Sequence, residues 1–150
     1  MELSDEIIIN APKDIVYAAL NDPETLQRCI PGCEELIKHS DTELEAMVVL
    51  KIGPVKARFS GNVTLSPDNP PEQFSLTGQG SGGAAGFAKG GADVTLETDG
   101  DQTILRYEAK AEIGGKLAQL GSRLIQSTAK KLAAKFFKSF ADVMEETRVA

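Results

Sequence analysis

The sequence contains few of the residues with which proteins build metal, redox or nucleophilic chemistry. It has no tryptophan, a single histidine (His39) and two cysteines, Cys29 and Cys33. A structural zinc site normally takes four nitrogen or sulfur ligands, so neither a metal nor a cofactor is expected. We interpret the cysteines as free thiols that pack around the turn at Pro31-Gly32, as is usual in a reducing compartment.

Long apolar segments are also missing. Uninterrupted apolar runs such as Ala46–Leu50 are far shorter than the about 20 residues that cross a bilayer. The acidic start, Met1–Glu6, lacks the basic segment and apolar run of a secretory signal. With 150 residues, 41% of them hydrophobic and 25% charged, the chain has the composition of one globular domain covering residues 1–150. We therefore expect a cytoplasmic protein.

The charges are unevenly distributed along the chain. The segment from Lys116 to Lys138 holds six basic and no acidic residues, so the rest carries −12 within a total of −6. An acidic body argues against nucleic-acid binding, which favours basic domains. The basic segment suits either an acidic partner or an anionic membrane surface, or it is simply a solvated helix face. The residues proposed for such a surface are Lys130, Lys131, Lys135, Phe137 and Lys138, with Phe137 expected to be exposed among the lysines.

Hydrophobic periodicity predicts the secondary structure. A β-branched run at Ile7–Ile9 predicts a first strand, and Pro12 and Asp22-Pro23 mark the starts of two short helices. From about residue 45 to Ile113 the period is two, which predicts about six strands with one apolar face. From Lys116 to about Glu146 apolar residues recur at helical spacing and predict one long helix. A curved antiparallel sheet around the last helix buries every apolar face.

Catalytic groups receive little support. His39 lies in a polar turn, and Glu45, Glu97, Glu108 and Glu112 all fall on the outward phase of their strands. Without buried acids or a histidine beside a nucleophile, acid–base and nucleophilic catalysis are not expected. Gly78–Gly83 matches the G-x-G-x-x-G pattern, but no helix follows it to bind a phosphate, so we reject a dinucleotide site.

The glycine-rich hairpin and the small inward residues are more informative. Seven of the fourteen glycines lie between Gly78 and Gly91, and Phe87 at the tip of this hairpin either gates a cavity, touches a partner or packs within the hairpin. Small inward residues either let the helix pack closely or leave a hollow beneath it, and the sequence leaves both open. The residues expected to line a hollow are Phe59, Gly61, Phe74, Leu76, Phe87, Val94, Tyr107, Ala109, Leu117, Leu120 and Leu124.

Three segments carry a resemblance to a known family. Ile30–Glu34, Gly53–Gly61 and Gly114–Ile125 resemble the carbon monoxide dehydrogenase G-subunit family, which belongs to the START-like, Bet v 1-type (SRPBCC) superfamily. The resemblance covers nearly the whole chain. It implies an α+β helix-grip fold: a curved antiparallel sheet of about seven strands, two short helices after strand 1 and a long C-terminal helix over an apolar cavity.

The resemblance also implies a function. The family is similar to non-enzymatic accessory proteins that bind a small hydrophobic molecule, lipid or quinone-like, and help link molybdenum-containing dehydrogenase subunits to the inner face of the cell membrane. Many relatives carry a C-terminal extension, whereas this chain ends four residues after Glu146. Peripheral membrane contact would then come from the basic helix or the Phe87 hairpin. The alternatives are a cyclase or hydrolase on the same fold, and an interaction adaptor with a closed core.

Overall fold

The computed structural model describes residues 1–149, with side chains up to Thr147, so the predicted domain bound at Ala150 lies outside the described residues. Short 3-10 turns occupy Gly83–Ala85 and Gly115–Leu120. The helices and strands are β1 (Glu2–Ile9), α1 (Lys13–Leu20), α2 (Pro23–Cys29), β2 (Cys33–Lys38), β3 (Glu43–Ile52), β4 (Val55–Asn69), β5 (Gln73–Ser81), β6 (Phe87–Asp99), β7 (Gln102–Gly114) and α3 (Ser122–Val149).

One antiparallel sheet contains the seven strands of this described region, in the order β1-β7-β6-β5-β4-β3-β2. The helix α3 contacts both β1 and β3, which lie five strand positions apart. Five spacings of about 4.8 Å give about 24 Å, whereas a helix with its side chains is about 10–12 Å wide. The sheet must therefore curl around α3. The predicted fold, a curved sheet with two short helices after β1 and a long terminal helix, is confirmed.

The two short helices begin and end where the sequence predicts. The Asp22 carboxylate accepts hydrogen bonds from the Thr25 backbone N–H at 3.2 Å and from the Thr25 hydroxyl at 2.7 Å. Pro23 occupies the first helical position, where its missing N–H costs nothing. These helices carry the chain from β1, at one edge of the sheet, to β2 at the opposite edge.

The predicted start of the long helix at Lys116 is wrong. Residues 115–120 form a 3-10 turn, and Gly121 then adopts a φ of +93°. A positive φ breaks the repeating helical backbone and is accessible chiefly to glycine. The helix α3 therefore begins at Ser122. Side chains before and after Gly121 consequently point in directions that a continuous helix would not give them.

The packed core lies at one end of the grip between sheet and helix. It contains Ile9, Ala11, Val16, Cys29, Phe74, Val94, Leu96, Leu105, Phe140, Val143 and Met144. Thr103 is a buried polar residue, and its hydroxyl group donates a hydrogen bond to the Ala11 carbonyl at 2.7 Å. Arg28 of α2 forms a two-pronged ion pair with Glu146 of α3, at 3.1 and 3.0 Å. This end of α3 is thus held by both packing and polar contacts.

Replacing Phe140 with alanine is expected to lower the free energy of unfolding by about 3–5 kcal/mol, because the substitution leaves a cavity in the core. The ring is 0% exposed and stacks on Phe136 with centroids 6.1 Å apart. Urea unfolding followed by circular dichroism measures the change. Lys138→Ala, on the exposed face of the same helix, is the control and should shift stability by less than about 0.5 kcal/mol. Similar losses in both variants would contradict the position of the core.

Candidate functional site

Inward side chains are large at the core end of each central strand and small at the other end. Cross-strand pairing aligns this change between strands, since Leu76 pairs with Ala92 and Ala92 with Ala109, while Gly78 pairs with Gly90 and Gly90 with Ala111. The inward series are Phe74, Leu76, Gly78 and Gly80 on β5, Leu96, Val94, Ala92, Gly90 and Ala88 on β6, and Leu105, Tyr107, Ala109 and Ala111 on β7. The small ends leave a hollow beneath α3.

A cavity of about 570 Å³ occupies this hollow and is partly open to solvent. Its volume lies within the range of about 300–1,000 Å³ that is typical of ligand sites. No His, Cys, Asp or Glu is among its lining residues. The walls come from β3 to β7 (including Ala46, Val48, Leu50, Ile52, Phe59, Gly61, Val63, Leu76, Ala88, Ala92, Ala109, Ala111 and Ile113), from Ile30 and Pro31, and from Leu117, Ile125, Thr128, Ala129 and Leu132.

The backbone at the floor of the cavity leaves little or no room for a Cβ at two glycines. A Cβ added to Gly90 would lie 2.1 Å from the Lys110 carbonyl oxygen of the neighbouring strand. At Gly61, which pairs directly with Gly80, an added Cβ would lie 3.2 Å from the Gln79 carbonyl oxygen. A side chain at Gly90 would therefore disturb the sheet, whereas one at Gly61 would require only a small shift of the neighbouring strand. The absence of side chains at these glycines thus explains both the close approach of the strands and the open space above them.

Five of the eleven predicted lining residues do line the cavity: Phe59, Gly61, Leu76, Ala109 and Leu117. Phe74 and Val94 are instead corrected to core residues, 6% and 7% exposed, because they lie at the end where large side chains meet. Both have the inward phase that the sequence predicts. Phase alone does not tell which end of a strand is packed and which is open.

Leu120 and Leu124 also lie outside the cavity wall, which corrects their predicted role. Leu120 ends the 3-10 turn before the Gly121 break. Leu124 lies about 100° around α3 from the next residue, the cavity-lining Ile125. It lies over the β3–β4 turn, where its Cδ2 would be 2.9 Å from a Cβ added to Gly53. The prediction failed because it treated the helix as continuous from Lys116.

Phe87 is not at the tip of its hairpin and does not line the cavity. It is the first residue of β6, 49% exposed, and it pairs with Gly114 of β7. A Cβ on Gly114 would lie 2.2 Å from the Phe87 ring, so the ring covers that glycine in the manner of an aromatic residue opposite a strand glycine. This geometry argues against a gate over the cavity, and the ring packs on β7 and not within the glycine-rich hairpin.

Tyr107 and Phe137 form a stacked pair at the side of α3. Their ring centroids are 5.5 Å apart with an angle of 19° between the planes, and Phe137 also meets Phe136 edge-on at 5.1 Å. The expectation that Phe137 is exposed among the lysines is therefore wrong, and Tyr107 is not a cavity residue. Burial, and secondarily the negative charge of Asp5, raises the pKa of the Tyr107 hydroxyl.

The basic side chains of α3 face solvent. Lys130, Lys131, Lys135 and Lys138 are all exposed, and none forms an ion pair with another described side chain. Ala134 is the other exposed residue between Lys130 and Lys138, and Ser127 is exposed just before Lys130. This surface, the α3 basic face, carries charge without a large apolar side chain.

The cavity has walls that the predicted set of residues misses. The inward residues of β3, Ala46, Val48, Leu50 and Ile52, form one whole wall. Their alternation is visible in the sequence, and that signal could have found them. On α3 the missed residues are Ile125, Thr128, Ala129 and Leu132, whose direction depends on where the helix starts.

Other reactive groups lie apart from the cavity. Burial raises the pKa of the Cys29 and Cys33 thiols, which disfavours the nucleophilic thiolate. His39 is exposed, as predicted, with its Nε2 2.7 Å from the Glu45 carboxylate. Within residues 1–149 no cluster of His, Cys, Asp or Glu has the arrangement of a metal site. Nor does any helix in this region have the length and hydropathy needed to span a bilayer.

The structure is similar to several solved structures. A conserved protein from Geobacillus kaustophilus shares 28% identity at a TM-score of 0.91, over 98% of this chain and 97% of that chain. The Zhui aromatase/cyclase from Streptomyces sp. R1128 has a TM-score of 0.73 at 10% identity, over 100% and 96%. A START superfamily protein from Mycobacterium smegmatis has a TM-score of 0.70 at 15% identity, over 97% and 98%. The last two likenesses show the fold alone.

The sequence itself places the chain in a family. No curated protein matches it in sequence. The family model for the G subunit of carbon monoxide dehydrogenase (CoxG) matches residues 6–145, which include half of β1, the other six strands, both short helices and nearly all of α3. The chain therefore belongs to the carbon monoxide dehydrogenase G-subunit (CoxG) family.

Proposed function

We propose that the protein is a non-enzymatic accessory protein that binds a small hydrophobic molecule, lipid or quinone-like, and helps link a molybdenum-containing dehydrogenase to the inner face of the cell membrane. The observation that carries the proposal is the apolar cavity of about 570 Å³ between the sheet and α3. Family membership supports the association with a dehydrogenase. A cytoplasmic location is part of the same proposal, because the inner face of the cell membrane borders the cytoplasm.

An apolar guest is the occupant that the cavity wall favours. Apolar cavities of about 150 Å³ stay dry and take up hydrophobic molecules, and this cavity is several times larger. The side chains of the wall have no neighbouring atoms on the side that faces the cavity, and they therefore lose the dispersion energy of those contacts. A hydrophobic molecule restores those contacts and leaves water at the same time, at about 25 cal/mol per Å² of apolar surface removed from water.

The α3 basic face supports the linking role. Its four lysines lie on the surface of the helix that is turned away from the cavity, so docking and ligand binding use different faces of one element. Since Phe137 packs inward against Tyr107, the face lacks the aromatic anchor of an inserted amphipathic helix. Contact with an acidic dehydrogenase surface or with anionic lipid is therefore electrostatic.

The two rival functions receive less support. One structural neighbour is an aromatase/cyclase, but no carboxyl group or histidine lines the cavity here to act as an acid or base, and its two lysines have the outward phase of their strands. The closed-core adaptor requires that α3 lie flush on the small residues of the sheet. The cavity between them argues against that packing.

Ala109→Phe is expected to weaken binding of the neutral fluorescent probe N-phenyl-1-naphthylamine by about tenfold or more, because the new ring fills the cavity. Fluorescence titration measures the affinity, and circular dichroism checks the fold. Ala18→Phe, an exposed position on α1, is the matched control and should bind as the unmodified chain does. Unchanged affinity in a folded Ala109→Phe variant would remove the cavity as the binding site. Native mass spectrometry of the freshly purified protein would identify a retained ligand.

Replacing Lys130, Lys131, Lys135 and Lys138 together with glutamine is expected to weaken docking by at least about tenfold, since each lysine near an anionic surface contributes about 1 kcal/mol. Co-sedimentation with vesicles containing about 30% phosphatidylserine tests the lipid arm. Pull-down with the dehydrogenase subunits tests the protein arm.

The matched control replaces Lys38, Lys51, Lys56 and Lys116, four exposed lysines outside α3 and the cavity wall, with glutamine and makes the same change in net charge. If both quadruple variants lose binding equally, net charge and not the α3 basic face is responsible. If neither loses binding in either arm, the face has no docking role.

A further inference from the structure

One polar side chain of the cavity wall differs from all the others. Asn62, Gln79, Lys89 and Lys110 also border the cavity, but each has the outward phase of its strand and an exposed side chain. Thr128 is the polar residue among the described lining residues that stands on the inner face of α3, between Ile125 and Leu132.

The hydroxyl group of Thr128 has no hydrogen-bond partner within the described part of the protein. A helical threonine commonly donates to the carbonyl four residues earlier, as Thr147 does to Val143 at 3.1 Å. Thr128 has no such bond to Leu124 or to any other described residue. The oxygen is accessible to solvent, so the hydroxyl is free to hydrogen-bond a molecule that enters the cavity.

We infer that Thr128 is the specificity-determining residue of the cavity and that it selects a neutral hydrophobic molecule carrying a carbonyl or hydroxyl oxygen. This inference rests on the proposed ligand-binding function. The hydroxyl both donates and accepts hydrogen bonds, so it matches either oxygen. It stands between Ile125 and Leu132, which also line the cavity, so a ligand oxygen bonded to it would lie against the α3 wall.

A carboxylate is excluded from this position by its charge. No cationic side chain has the inward phase that would face Thr128, and burying an unpaired carboxylate is strongly unfavourable. Met1 also borders the cavity, but its ammonium group is exposed and donates to the Ala111 carbonyl at 2.9 Å. An anionic head group would have to stay in solvent or beside such an exposed cation, away from Thr128.

The test uses three naphthalenes of nearly equal size: 2-naphthol, 2-methylnaphthalene and 2-naphthoate. Each displaces N-phenyl-1-naphthylamine from the full-length protein and from the variants Thr128→Val and Thr128→Ser. We expect Thr128→Val to weaken 2-naphthol by about three- to tenfold, the typical effect of losing one neutral hydrogen bond. Binding of 2-methylnaphthalene should be unchanged or improved, and Thr128→Ser should restore 2-naphthol affinity. The unmodified protein should prefer 2-naphthol to 2-naphthoate.

The outcomes separate this inference from the proposed function. Equal losses for 2-naphthol and 2-methylnaphthalene in Thr128→Val would show a packing effect and overturn the inference. Unchanged 2-naphthol binding in that variant, or preferred binding of 2-naphthoate, would also overturn it while leaving the cavity as a binding site. If none of the three probes nor the fluorescent reporter binds, the ligand-binding function itself fails.

Discussion

A single rigid helix has to span two ends of a sheet whose inward side chains differ in size. The 28 residues of α3 are about 42 Å long, so the helix crosses both ends in one piece. At the core end it is held by Phe140, Val143 and Met144 and by the ion pair between Arg28 and Glu146. It cannot also sink onto the glycines and alanines at the other end, because the large residues set its height above the sheet. The cavity follows from that difference.

The two faces of the same helix have different roles. Its inner face closes the core at one end and the cavity at the other, while its outer face presents the lysines of the α3 basic face. Since the rest of the chain is strongly acidic, this face is also where the protein differs most in charge from its own body. A ligand that alters the seating of α3 would therefore act on the element that carries the proposed docking surface.

Much of the fold could be predicted from local patterns. Period-two alternation in β4 and β7 predicts which residues face inward, and Asp22-Pro23 predicts the start of α2, because these signals depend only on neighbouring residues. The strand β2 is harder to predict from the sequence, because its half-buried and exposed residues do not alternate with a period of two. The site was predicted in part. Ala109 and Leu76 were identified by phase and size, whereas Phe87 and Phe137 were misjudged because their positions depend on glycines and rings that are distant in sequence.

The sequence by itself determined the strand phases, the small residues on the inward face, the short helices and the charge asymmetry, all of which arise from side chains within a few residues of one another. Only the tertiary structure decided where the core ends and the cavity begins. That boundary depends on cross-strand register, on the φ of Gly121 and on the height at which α3 rests. The packing of α3 on the sheet also places Thr128 at the cavity wall and turns Phe137 towards Tyr107, because the rotation of a helix about its axis is set by what it packs against.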